Sequence, residues 1–253
     1  MAVKTDTSLP ARLQPSPNHG ERRGDMPIDM IVLHYTGMQS GELAIRRLCD
    51  PRSEVSAHYI VDEDGTILQC VPEARRAWHA GKAFWKGERD INSRSIGIEI
   101  VNPGHEFGYR PFPDAQVAAV TDLCRDICRR HGIPPERVLA HSDVSADRKE
   151  DPGELFPWAR LAGEGVGHWV EPAPTGSGRY FQQGEEGQPV EALQSMLGLY
   201  GYDIAVTGVF DRKTSDAVRA FQRHFRPERV DGIADMSTIA TLHSLLSALP
   251  RLG

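Results

Sequence analysis

Two histidines close short apolar runs: His34 ends "MIVLH" and His141 ends "RVLAH". Asp151 follows His141 within the same polar loop, "AHSDVSADRKEDPGELFPW". Two neutral imidazoles and one carboxylate make a three-ligand set for zinc, leaving a fourth position for water as catalytic rather than structural sites do. Such an ion lowers the pKa of water toward ~7 and polarises a carbonyl, so the chemistry implied is metal-assisted hydrolysis. A strand-terminal histidine is also commonly a hydrogen-bonded core or surface residue, and spacing alone leaves both readings standing.

Two further groups suit that chemistry. In "SIGIEIV", period-2 alternation puts Ile96, Ile98 and Ile100 on one face and Gly97 with Glu99 on the other. A carboxylate inside a strand is costly unless partnered or wet; facing a water at the metal, Glu99 would serve as general base and then pass the proton to a leaving amine. The competing reading is a salt-bridged glutamate on a solvated face. Lys149, two residues before Asp151, points the same way in an extended loop and would steady an oxyanion; alone, a lysine in "DRKED" reads more often as a solvated charge. His58 in "SAHYIV" and the Trp78–His79 pair in "AWHAG" are candidates to line a cleft, the pair suited to stacking on a sugar or peptide. His19, His105, His131, His168, His224 and His243 are assigned surface or packing roles.

The elements that must carry these groups form an α/β pattern. "DMIVLH", "RVLAH" and "SIGIEIV" read as buried strands, and "AHYIVDEDGTILQCV" as a hairpin turning at Asp64–Gly65. "GELAIRRLCD" and "DAQVAAVTDLCRDICRRHG" carry helical periodicity, the second capped by Asp114 and stopped by Gly132. Strands interleaved with helices predict a mixed central sheet covered by helices. If the strands of His34 and His141 are parallel neighbours, the rings converge at the carboxyl edge, where open α/β sheets place ligands.

Gly, Pro and Ser enrichment in "GEGVGHWVEPAPTGSG" marks a linker. The organisation expected is an N-terminal arm over 1–25, a catalytic domain over 26–162, a linker over 163–178 and a small domain over 179–253. In the last, "GVFDRKTSDAV" and "GIADMSTIATL" echo each other as a turn and a helix capped near Asp211 or Asp235. With the helix of "PVEALQSMLGLYGY" they predict a three-helix bundle.

Composition excludes some partners. A 40% apolar and 25% charged chain is that of an ordinary globular protein, and a net charge of −6 offers no field to attract nucleic acid or anionic lipid. No run approaches the ~20 apolar residues of a spanning helix, so no membrane insertion is expected. The polar first residues lack a signal-peptide pattern, which reads as cytoplasmic, with periplasm or cell envelope as the alternative. Four cysteines are too few for a disulfide framework, and Cys124 and Cys128 share a helical face with Val117, Val120 and Ile127 as small hydrophobes. Oligomeric state is not legible, with a monomer as the default.

Taken in order, "IVLHYTG", "SAHYIVDEDGTI", "AWHAG", "SIGIEIVN" and "AHSDVSADRKEDPGELFPW" resemble the zinc-dependent N-acetylmuramoyl-L-alanine amidase family of type 2 over about residues 14–160. The resemblance implies zinc on His34, His141 and Asp151, Glu99 as catalytic carboxylate, Lys149 as oxyanion-stabilising lysine, and Tyr35, His58, Trp78 and His79 near the substrate. Asp as third ligand, together with this Glu, is similar to the bacterial muropeptide branch; phage amidases and many recognition proteins carry Cys there and lack the Glu. Residues 180–249 resemble the three-helix peptidoglycan-binding module that accompanies wall hydrolases. The implied partner is peptidoglycan or its muropeptide fragments. Two rivals stand beside this: a non-catalytic recognition protein of the same fold, and a zinc peptidase acting within the stem peptide.

Overall fold

The computed structural model describes residues 4–24, 26–176 and 178–249; the parts of the expected arm, linker and C-terminal domain at residues 1–3, 25, 177 and 250–253 lie outside them. In chain order come β1 (Ala11–Leu13), β2 (His19–Glu21), β3 (Met30–Tyr35), α1 (Gly41–Cys49), β4 (Tyr59–Val61), β5 (Ile67–Gln69) and β6 (Arg75–Ala77). Then follow α2 (Ile91–Arg94), β7 (Ser95–Ile100), α3 (Gly104–Phe107), α4 (Asp114–His131), β8 (Val138–Ala140), α5 (His141–Val144) and α6 (Trp158–Gly163). The last three helices are α7 (Gln188–Tyr200), α8 (Arg212–Phe225) and α9 (Met236–Ala248).

The central sheet has the order β1-β5-β4-β7-β3-β8, and β2 pairs with β6 in a separate antiparallel ribbon. Within the large sheet only β4 and β5, the expected hairpin, run antiparallel. Strands buried on both faces need apolar residues at odd and even positions alike. β3 meets this with Ile31 and Leu33 packed in the core under α4, and Met30 and Val32 in the core shared with the C-terminal helices. Side chains alternate, so His34 continues the Met30–Val32 side. Register then puts Gly97 opposite Val32 and Glu99 opposite His34.

α4 covers the other face with Val117, Val120, Leu123, Cys124 and Ile127 against Ile96, Ile98 and Ile100. Each fully buried isoleucine contributes roughly 1.5–3 kcal/mol of apolar transfer. Gly132, at φ 68, ends the helix as expected. Asp114 corrects the expected cap: Pro113 holds the cap position, and Asp114 is the first helical residue with no capping bond. Its charge still suits the positive helix end.

α7, α8 and α9 form the expected bundle. Asp211 and Asp235 cap α8 and α9, accepting from the backbone N–H of Thr214 and Thr238 at 2.8 Å each, caps worth about 1 kcal/mol apiece. The bundle shares one apolar core with the sheet: Met30, Val32, Trp85 and Leu139 pack with Leu197, Tyr202 and Phe221. The Gly/Pro-rich stretch before it lies against both, with Val166 buried and His168 Nδ1 2.9 Å from the Tyr200 hydroxyl.

Candidate metal centre

β3 and β8 are parallel neighbours with Leu33 opposite Ala140. Their next residues, His34 and His141, therefore leave the sheet edge side by side. The loop after α5 returns Asp151 to them, fixed by its carbonyl accepting from Ser142 N–H at 3.0 Å. His34 Nδ1, His141 Nδ1 and Asp151 Oδ2 then stand 2.9–3.0 Å from one another. All three residues are buried and together offer one ligand atom each within 4.8 Å.

The outer bonds decide the tautomers. His34 Nε2–H donates to His79 Nδ1 at 3.0 Å, and His79 Nε2–H to Ser95 Oγ at 3.2 Å. The Ser95 hydroxyl passes the direction on to Ile91 O at 2.6 Å. His141 Nε2–H donates to Ala80 O at 3.2 Å, a carbonyl that also accepts from Arg148 at 2.7 Å. With the protons drawn outward, both Nδ1 atoms present bare lone pairs to a carboxylate oxygen. Burial and the neighbouring His141 push His34 down to about 4, opposed by Asp151. Burial alone would raise Asp151, yet positive charge and donated protons on the His141 and His34 side outweigh it and hold the carboxyl below the usual range; with neither Nδ1 protonated, a metal cation is what supplies that charge. Three converging lone pairs without a proton between them are a repulsive set unless a cation sits among them. Two imidazole nitrogens and a carboxylate oxygen fit zinc.

This set opens onto a cleft of about 730 Å³ whose lining includes Tyr35, Trp78, His79, Glu99, His105 and Lys149. Glu99 Oε2 is shut off from solvent without a hydrogen-bond partner among the described residues. Burial and the Asp151 carboxylate push the Glu99 carboxyl well above its ordinary range, with Lys149 opposing.

The N-acetylmuramoyl-L-alanine amidase family model matches residues 24–154, half of the chain, and a peptidoglycan binding domain model matches residues 186–242. N-acetylmuramoyl-L-alanine amidase AmiD of Escherichia coli (strain K12) is 37% identical over 233 residues, 87% of this chain and 82% of that one. The chain belongs to the N-acetylmuramoyl-L-alanine amidase family. The structure of AmiD with its substrate anhydro-N-acetylmuramic acid-L-Ala-D-gamma-Glu-L-Lys superposes with a TM-score of 0.75 at 36% identity, covering 89% of this chain and 91% of that one. AMPDH3 of Pseudomonas aeruginosa gives 0.74 at 28% identity, covering 99% and 100%. The buried His34–His141–Asp151 cluster is thus a catalytic zinc site of the amidase kind.

Other candidates fall differently around this amidase centre. Tyr35 and Trp78 line the cleft, while His79 does so and also braces His34. His58 departs from the cleft-lining expectation. It is fully buried, its Nδ1 accepting from Gly97 N–H at 2.9 Å and its Nε2–H donating to Arg75 O at 3.1 Å. Burial and Arg22 push it down to about 3, so it is a neutral core ring joining β7 to β6. His105, expected on the surface or in packing, lines the cleft instead. It lies 3.1 Å from the Tyr35 hydroxyl and 3.2 Å from the Glu154 carboxylate. No periodicity announces it, because it sits in the one-turn helix α3 after the strand ends.

Proposed function

We propose that this amidase hydrolyses the amide between the lactyl group of N-acetylmuramic acid and L-alanine of the stem peptide, in peptidoglycan or its muropeptide fragments. The observation carrying the reading is the convergence of His34 Nδ1, His141 Nδ1 and Asp151 Oδ2, with their outer protons already committed elsewhere. Zinc held by these three atoms supplies Lewis acidity, polarising the scissile carbonyl and making water acidic near neutral pH.

The protein's own groups do the rest. Glu99 Oε2, with no competing partner among the described residues, takes the proton of the water that adds to the lactyl carbonyl carbon. It returns that proton to the alanine nitrogen as the C–N bond breaks, leaving a free amine and a lactyl carboxylate. Lys149, lining the same cleft and with no ion pair among the described residues, faces the oxyanion that forms between the two steps. Tyr35 and Trp78 line the walls on which sugar and peptide rest. The similarity to AmiD, solved with an anhydro-muropeptide, supports wall fragments as substrate. The C-terminal bundle, matched by the peptidoglycan binding domain model, raises the local concentration of wall material.

Mass spectrometry of digested muropeptides tests the reading. Free stem peptide beginning at L-alanine is the expected product. Shortened stems would make the protein a peptidase, and unchanged muropeptides a recognition protein.

A further inference from the structure

The helix that carries the ligand His141 is one turn long, the four residues His141–Val144. A helix this short closes almost none of its own hydrogen bonds, so its position is set by what grips it from outside. The main grip is Asp143, whose carboxylate is completely buried. It accepts from Ala140 N–H at 2.8 Å at the start of the turn. Its other two donors come from the C-terminal bundle: the Tyr202 hydroxyl at 2.7 Å and His224 Nδ1–H at 2.6 Å. His224 Nε2 is buried without a partner among the described residues, which places the ring's proton on Nδ1. The ring is stacked on Trp158 and Phe225 with centroids 3.7 and 3.8 Å away.

A second line leads to the same ligand. His141 Nε2–H is held by Ala80 O, and the segment beyond Ala80 is anchored on the bundle. Lys86 N–H donates to Gly201 O at 3.0 Å, and the Trp85 indole meets the edges or faces of Tyr200 and Tyr202 at 6.0 and 5.2 Å. Gly201 is required there, since a Cβ would lie 2.5 Å from the Trp85 ring. Phe84 N–H donates to Val144 O at 2.8 Å, tying the two lines together.

We infer that Tyr202 and His224 are positioning residues for the zinc site: through Asp143 the C-terminal bundle holds the turn that aims His141, so the bundle is part of the metal centre's support as well as a wall-binding module. The inference rests on the zinc reading of His34, His141 and Asp151. Outer partners of metal ligands typically change metal affinity about 10- to 100-fold.

The test uses the full chain and four proteins: parent, Tyr202→Phe, His224→Leu and His224→Asn. Tyr202→Phe removes one oxygen and keeps the packing; His224→Asn restores an N–H where Nδ1–H stood. Zinc affinity is read by chelator competition, ligand geometry from the visible bands of the cobalt-substituted protein, and folding by circular dichroism. Tyr202→Phe and His224→Leu are expected to bind zinc at least ~10-fold more weakly with shifted cobalt bands, and His224→Asn to recover most of that loss. Folded variants that bind zinc like the parent, with unchanged cobalt bands, overturn the inference even if their melting temperature falls. A parent that binds no zinc overturns the metal reading itself, and this inference with it.

Discussion

Gly97 is the most exacting test of how the centre is built. Its φ lies outside the left-handed region, so Gly97→Ala introduces no backbone strain and acts through volume alone. The new Cβ would stand 2.7 Å from His79 Nδ1, with Cγ and Cδ2 of the same ring in its way. Ordinary contact needs ~3.5 Å, so the imidazole must retreat by roughly 1 Å. That movement breaks the 3.0 Å bond from His34 Nε2–H to His79 Nδ1, since a bond stretched toward ~4 Å is no longer one. Losing an outer partner of a metal ligand costs about 10- to 100-fold in affinity, which is about 1.4–2.7 kcal/mol. Overpacking adds a further loss of ~1–3 kcal/mol in stability. Chelator competition gives the zinc Kd of the parent, Gly97→Ala, His79→Ala and the double variant. With the His79 ring gone, the added methyl finds space, so Gly97→Ala is expected to cost almost nothing in the His79→Ala background. A Gly97→Ala protein that binds zinc as tightly as the parent refutes the account of His79 as the brace of His34. So does an equal loss in both backgrounds, which would show that the methyl acts elsewhere.

Glu99→Gln is expected to keep zinc and lose turnover by ~10²–10⁴; metal analysis alongside a muropeptide assay checks both, and parental turnover removes the general-base role. Lys149→Ala is expected to lower kcat by about 10²–10³ with little change in KM. A raised KM at constant kcat would make Lys149 a substrate clamp. Glu73 predicts an acid limit far from the centre. Burial alone would raise its carboxyl, but Arg130, His131 and Tyr59 hydrogen-bond to it and hold it at about 2. A depressed folded-state pKa stabilises the fold above the unfolded value and is lost as pH falls through the folded one. About 3 kcal/mol should therefore disappear between roughly pH 4.5 and pH 2. Urea midpoints of metal-free protein across that window should fall for the parent and show a shallower slope in Glu73→Gln; identical slopes would exclude the carboxylate.

Much of the centre was legible because strand physics is local. Period-2 alternation placed Glu99 away from Ile96, Ile98 and Ile100, and apolar runs ending in His34 and His141 marked the sheet edge. The hairpin at Asp64–Gly65 and the caps Asp211 and Asp235 follow from turn and capping chemistry within a few residues. Asp114 stands one position off because local capping preference favours aspartate over proline, whereas the folded helix starts at Asp114 with Pro113 ahead of it. Of the ten histidines, strand ends single out His34 and His141; what separates the others is the company each ring keeps after folding. His58 and His79 are neighbouring rings, 5.8 Å apart, that both meet Gly97, one bonded to its backbone and the other filling the space of its missing Cβ.

By itself, then, the chain's order of residues determined which groups are able to bind a metal, move a proton and build the strands and helices around them, since those properties belong to single side chains and short periods. Only the tertiary structure decided the register that sets Glu99 opposite His34, the chain of bonds that turns both Nδ1 atoms inward, and the grip of Tyr202 and His224 on Asp143 from 59 and 81 residues away. Those depend on which surfaces bury one another, a balance of packing and desolvation summed over the whole molecule that no local window contains.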